Sequence, residues 1–334
     1  MDQTISQFVN NEGLSDIHIQ SGSAISLRIN GIIEKQNTQL VTVENILGFL
    51  KKNLSKDQFE EFNSKKNLDF ALELNKNRFR ANAYLGYNGC NIVLRKIETK
   101  IPDINDLNLP PVVNQQINSD NGLILITGPT GSGKSTSLAS IINYINMNKQ
   151  KNIITIEDPI EFIHKADQSI ISQREIGIHA TSFANALRAS LREDPDVILV
   201  GELRDLETTS LALTAAETGH LVLGTLHTSG APNTIHRIID IFPSEQQDQI
   251  RSQLASSLKL VMTQKLIRKI DGSGRVGAFE VMVCNAAIKN LIRENKIHQV
   301  PTVMQTGLKD GMITMDKSIE NLINDGLINF DDTQ

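Results

Sequence analysis

Apolar and polar positions alternate along residues 16–20 and again along 26–30. Ser21, Gly22 and Ser23 interrupt the two runs, and Asn30-Gly31 follows the second. Alternation with period two predicts half-buried strands, and the Gly- and Ser-bearing breaks predict turns. Over 42–62 the period lengthens, with Val43, Ile46, Leu47 and Leu50 at helical spacing among lysines. That predicts helices with solvated outer faces. Three more strands are expected at 69–74, 78–85 and 91–97, so residues 1–100 read as a small α+β domain.

The pattern then changes. Residues 101–111 hold Pro102, Pro110 and Pro111 among Asp and Asn. Each proline disfavours helix at the residue before it, so a linker is expected over 101–118. Beyond it, continuous apolar runs recur at 122–127, 152–156, 197–200 and 221–225. Helical periodicity fills 135–147, 182–191 and 205–216. Strands apolar at nearly every position, alternating with helices, predict a parallel sheet covered on both faces. The fold class is therefore α/β over 119–334, and from about 244 onward mainly helices are expected.

Composition narrows the function. The chain has 334 residues, enough for about two domains of roughly 150 residues each. Its formal charge is −5, with 13 basic and 11 acidic residues among the first 100 and 20 and 27 in the rest. Neither part has the basic excess that a nucleic-acid backbone requires, and aromatics are only 4% with no Trp. No nucleic-acid partner is expected. Cys90 and Cys284, the two cysteines, read as buried thiols rather than a metal or disulfide framework. No secretory signal and no apolar run of about 18 residues is visible, so a cytoplasmic protein is expected, meeting the membrane only through partners.

The chemistry is concentrated at one motif. Gly128, Pro129, Thr130, Gly131, Ser132, Gly133, Lys134, Ser135 and Thr136 fit the phosphate-loop pattern G-x-x-x-x-G-K-[ST]. An apolar strand enters it and a helix leaves it. Glycines let backbone N–H groups turn toward a triphosphate, and the helix N-terminus adds a favourable dipole. Lys134 is expected to reach the β and γ phosphates, and the Ser135 hydroxyl to hold Mg²⁺. ATP and Mg²⁺ are thus the expected ligands. Hydrolysis also needs a carboxylate near the γ-phosphate. Two acidic clusters follow expected strands: Glu157, Asp158 and Glu161 in one, Glu202 and Asp205 in the other. His220 and His227 bracket a third strand, and His227 could sense the γ-phosphate from its polar tip.

In this order the motifs resemble the Walker A, Asp box, Walker B and His box of the secretion-type ATPases, with Gly201 where Walker B usually ends in Asp. The resemblance implies a PAS-like N-terminal domain, a RecA-like ATPase domain and a homohexameric ring. Ser15 to Ile19 and Arg78 to Asn82 also fit the N-terminal domain. Within the superfamily the chain is most similar to the type IV pilus retraction ATPases. It is short, lacks paired C-x-x-C motifs, and carries Ala287, Ile288, Lys289, Asn290, Leu291, Ile292, Arg293 and Glu294, which match a C-terminal motif of that family. Lys289 stands where the family has Arg, which keeps the charge but loses the bidentate fork. Ala287, Ile288, Leu291 and Ile292 form the apolar stripe of a helix.

The resemblance implies ATP hydrolysis that pulls pilin subunits from a pilus. It gives Glu202 as catalytic carboxylate, assisted by Glu161 and His227. Arg80 and Arg95, with Arg78 as a weaker third, would reach nucleotide in the assembled ring. Implied partners are an inner-membrane platform protein, the pilus machinery and a paralogous retraction ATPase. Rival readings are a pilus-extension, secretion or DNA-uptake motor, a nucleic-acid-dependent RecA-like motor, and a scaffold that binds nucleotide without turnover.

Overall fold

A computed structural model describes residues 1–330 apart from 12, 30, 76, 98, 99 and 273. The chain divides into two compact units, Met1–Lys100 and Ile101–Gln334. The expected Asn30-Gly31 turn includes residue 30 and lies outside the described residues.

The first unit runs α1 (Asp2–Ser6), β1 (Leu14–Gln20), β2 (Ser26–Ile29), β3 (Ile32–Lys35), α2 (Val43–Asn53), α3 (Lys56–Lys65), β4 (Asn67–Leu74), β5 (Asn77–Gly86) and β6 (Gly89–Ile97). The strands form one antiparallel sheet in the order β3-β2-β1-β6-β5-β4. Reciprocal capping boxes start both long helices, Thr42 with Asn45 and Ser55 with Gln58, satisfying N–H groups that a helix start leaves open. Ile46, Phe49, Leu50 and Phe62 join Ile17, Ile19, Phe79, Ile92 and Leu94 in one core. Strand β3 was not expected. All four of its residues are exposed, so no buried face imposes an alternation to read.

The second unit runs α4 (Pro111–Gln116), β7 (Gly122–Thr127), α5 (Lys134–Asn148), β8 (Asn152–Glu157), β9 (Ile170–Glu175), α6 (Phe183–Ser190), β10 (Val197–Val200), α7 (Leu206–Glu217), β11 (Leu221–Leu226), α8 (Ala231–Asp240), α9 (Gln247–Ser257), β12 (Leu258–Arg268), β13 (Arg275–Val283), α10 (Ala286–Arg293), α11 (Val300–Thr306) and α12 (Met315–Asn324). Its sheet has the order β13-β12-β7-β11-β10-β8-β9, parallel except for β13. Alternate residues of β7 feed two cores. Leu123 and Leu125 join residues of α6, α7, α8 and α9, while Ile124 and Ile126 join α4 and α5. Both faces are therefore covered, as the continuous apolar runs require.

Two expectations are corrected. Residues 101–118 do not behave as a free linker, because Ile104, Val112, Val113 and Ile117 are buried in the α5-side core. Ser140 also donates to the Pro102 carbonyl at 2.8 Å. The region after 244 is not wholly helical either. Residues 258–268 and 275–283 are strands, where Leu, Met, Gln, Lys and Arg are all good helix formers. Pairing of β12 to β7 overrides that propensity. In α10, Ile288 and Ile292 are buried and Leu291 is half-buried, but Ala287 of the expected stripe is exposed.

Candidate nucleotide site

The site forms where β7 ends. Thr127 Oγ1 lies 2.8 Å from Thr263 Oγ1 on β12, and the chain then leaves the sheet. Gly128, Gly131 and Gly133 have φ of 137°, 79° and 88°, a region that side chains rarely adopt. A Cβ on Gly128 would also sit 2.4 Å from the Gln264 carbonyl oxygen. The loop thus needs glycine for both conformation and space. Gly133 caps α5, whose first turn carries Lys134, Ser135 and Thr136.

Six residues of the loop and helix start, though not Gly128, Pro129 or Ser132, line a cavity of about 460 Å³ at the ends of the parallel strands. Thr130, Gly131, Gly133, Lys134, Ser135 and Thr136 form one wall, and Glu157, Asp158, Glu161, Glu202, Arg204 and His227 lie around the rest. The strand-end location is the usual ligand-facing edge of an open α/β sheet. The Lys134 ammonium donates to the Gly128 carbonyl at 2.8 Å and the Pro129 carbonyl at 2.9 Å. Burial draws its pKa down, while the charges of Glu202 and Glu161 push the other way. Pro129 therefore serves through its carbonyl. Ser132 is buried, and its hydroxyl has no hydrogen-bond partner.

The carboxylates differ in setting. Glu202 follows β10, its Oε1 3.8 Å from His227 Nε2 and its Oε2 3.7 Å from an Arg204 guanidinium nitrogen. Arg204 also reaches Asp158 at 3.5 Å and lies over the Phe183 ring, so it ties the two acidic clusters together. His227 Nδ1 is 3.5 Å from Thr130 Oγ1. Thr130, His227, Glu202, Arg204 and Asp158 thus form a polar arc around the cavity. Glu157 is held differently. Burial raises its pKa, and the Glu161 charge adds to that, against hydrogen bonds from Thr155 at 2.7 Å and Gln173 at 3.3 Å. Glu161 is exposed at the mouth.

Gly201 stands where a Walker B strand usually ends in Asp. A Cβ there would come within 3.2 Å of the Ile156 carbonyl oxygen, so the close approach of β8 favours the absence of a side chain. Asp205 caps α7 by accepting from the Thr208 N–H at 2.8 Å, which gives it a structural task. His220 places Nδ1 3.0 Å from the Ala215 carbonyl oxygen, and it does not line the cavity.

Arg80 and Arg95 belong to the first unit, directly opposite each other on β5 and β6. All the residues lining the cavity belong to the second. Arg95 Nε donates to Asp16 Oδ1 at 2.9 Å, and Arg28 lies 3.6 Å from the same carboxylate. Burial alone would raise the Asp16 carboxyl, but hydrogen bonds from Arg95 and Ser15 and the nearby positive charge hold it below its ordinary value.

Several cavity residues carried no assigned role in the sequence. Arg204 lay within an acidic segment, and its alternation with Glu202 was the available signal. His164 also lines the cavity, and burial pushes its pKa down to about 4. Leu266, Phe183 and Arg275 are also in the lining, brought there by strands and helices with no local motif.

The loop, helix terminus and hydroxyl fit a magnesium nucleotide. The positive φ of the loop glycines lets backbone N–H groups turn toward the cavity, Lys134 supplies the cation, and Ser135 supplies an oxygen of the hard type Mg²⁺ takes. Comparison with known proteins agrees. Residues 1–273 match the Type II/IV secretion system protein family. The chain is 47% identical to a twitching motility protein of Neisseria gonorrhoeae over 90% of this chain and 81% of that one. It is 44% identical to the type IV pilus retraction ATPase PilT of Pseudomonas aeruginosa, over 95% and 92%. The crystal structure of the pilus retraction motor PilT with bound ADP superposes with a TM-score of 0.93 at 45% identity, covering 99% of this chain and 95% of that one. The chain belongs to the Type II/IV secretion system protein family.

Proposed function

We propose that this chain is a Mg²⁺-dependent ATPase that works as a homohexameric motor of type IV pilus retraction, driving pilus disassembly and twitching motility. One observation carries the proposal: the phosphate loop, Glu202 and His227 converge on one cavity in a chain closely similar to a retraction motor. In this reading residues 1–100 are the PAS-like domain, and the second unit is the RecA-like ATPase.

The loop from Gly128 to Thr136 cradles the triphosphate, every residue but Pro129 offering a backbone N–H, and Lys134 offsets the charge of the β and γ phosphates. Ser135 would hold Mg²⁺, which would supply positive charge beside the phosphates when bound with nucleotide. Glu202 orients the attacking water and takes its proton, while Arg204 and His227 fix the carboxylate's direction. Glu161 assists from the mouth. Arg80 and Arg95 act on nucleotide in the assembled ring, so that turnover depends on closure. No helix among the described residues is long and apolar enough to cross a membrane. Force would pass to an inner-membrane platform protein and the pilus machinery, with a paralogous retraction ATPase as a further partner. The chain would therefore work at the cytoplasmic face of the inner membrane.

Piliation of a deletion strain tests this. Loss of retraction leaves excess pili without twitching, whereas loss of an extension motor leaves none. Electron microscopy of the purified protein with ATP tests the ring, which should be hexameric.

A further inference from the structure

Gln264 of β12 is 2% exposed and does not line the cavity, yet it touches the phosphate loop at several points. Its Nε2 donates to the Ser132 carbonyl at 2.5 Å, and its Oε1 accepts from Ser137 Oγ, one turn into α5, at 3.0 Å. Its backbone carbonyl is the atom that leaves no room for a side chain on Gly128, and its Nε2 stands 2.9 Å from where a Cβ of Gly133 would be. The position in the sheet explains this. Strand β12 pairs with β7 as far as Thr263 opposite Thr127. Beyond it β12 continues with β13 alone, from Gln264 opposite Phe279 to Arg268 opposite Arg275. Gln264 is thus the first residue past the point where the two parallel strands part.

We propose that Gln264 is a positioning residue that sets the phosphate loop in its anion-binding conformation. The reason lies in the peptide plane. In a trans peptide the carbonyl of one residue and the N–H of the next point in opposite directions. Drawing the Ser132 carbonyl toward β12, away from the cavity, turns the Gly133 N–H toward it. The Ser132 carbonyl can only accept, so the NH₂ of the carboxamide faces it, and the Ser137 hydroxyl then donates to the carboxamide oxygen. A buried carboxamide is costly unless its groups are bonded, and an apolar side chain would fill the same space. Gln264 is therefore placed for orientation rather than for packing.

This inference rests on the nucleotide reading of the cavity, and the two can fail separately. In Gln264→Met the length is kept and both hydrogen bonds are lost. A fluorescent-ADP titration should show binding weaker by about tenfold, with kcat at saturating ATP changed by less than about threefold. Gln264→Glu supplies the second readout. An ionised carboxylate only accepts and would repel the Ser132 carbonyl, whereas a protonated one donates. Its affinity, measured relative to the wild type at each pH, should recover as the pH falls. Wild-type affinity in Gln264→Met, or a pH-independent deficit in Gln264→Glu, overturns the positioning role. Lys134→Ala is the control: loss of binding there with normal binding in Gln264→Met defeats the positioning alone. Normal binding in Lys134→Ala defeats the nucleotide reading itself, and the positioning role with it.

Discussion

Strand β4 of the first unit buries Leu68, Phe70, Leu72 and Leu74 and leaves Asn67, Asp69, Ala71 and Glu73 exposed. Strands β7, β10 and β11 of the second unit bury every residue. A sheet with one open face can display charge along its strands. Here it carries a cross-strand row of Arg28, Asp16, Arg95 and Arg80. A sheet covered on both faces has no such surface, so its chemistry must gather at the strand ends. Glu157 ends β8, and Lys134, Glu202 and His227 come after β7, β10 and β11, all at that one edge. The contrast separates a unit that presents arginines from a unit that encloses a nucleotide.

The largest effect is expected from Lys134→Ala, which removes the one lysine lining the enclosed site. Nucleotide affinity should fall by more than about a hundredfold in a fluorescent-nucleotide titration, as loss of a charged hydrogen-bonding partner in a buried site implies. Wild-type affinity would mean that the covered sheet encloses something else.

Charge placed within the strands compares the two sheets themselves. Leu125 is fully buried, and Leu125→Asp should cost more than about 4 kcal/mol in a denaturant titration, because a carboxylate is buried without a partner. Ala71 is exposed opposite Arg80, and Ala71→Asp should stay within about 0.5 kcal/mol of the wild type. Equal costs at the two sites would erase the distinction.

The arginines of the open sheet sharpen it further. Arg80→Ala and Arg95→Ala should each lower steady-state ATPase activity by about tenfold or more. They should differ in stability, since only Arg95 bonds the buried Asp16 carboxylate, and its loss should cost roughly 1–3 kcal/mol. Full activity in both variants would remove the open face from the mechanism.

Asp16→Asn, which keeps the shape and removes only the charge, has a defined pH dependence. The folded pKa of Asp16 lies below its ordinary 3.8, so its ionised form favours the fold above that pH. The stability advantage of the wild type over the variant should therefore hold at neutral pH and fade as the pH falls below about 4. An advantage that persists at pH 2 would mean that shape, not charge, holds the row together.

Much of this contrast was legible in the residues. The phosphate loop is contiguous, so its glycines, Lys134 and Ser135 need no tertiary information. The strands bearing the two acidic clusters are largely apolar, which placed them in a covered sheet. What was hidden depends on pairing across the fold. The exposed β3 has no periodicity to betray it. Strand β12 is rich in helix-favouring residues and is held as a strand by β7 on one side and β13 on the other. Gln264 and Arg275 reach the loop and cavity from that hairpin with no local signal. Lys289 and Arg293 show the opposite case, since their helix was visible but not what it contacts.

Glu202→Gln, assayed for nucleotide binding and steady-state hydrolysis on one preparation, decides whether the enclosed site does its chemistry through this carboxylate. The amide keeps the shape but cannot take a proton. Affinity should remain within about threefold of the wild type while hydrolysis falls by about 10²–10⁴. Hydrolysis within a few-fold of the wild type would contradict the role given to Glu202 and move the base to Glu157 or Glu161.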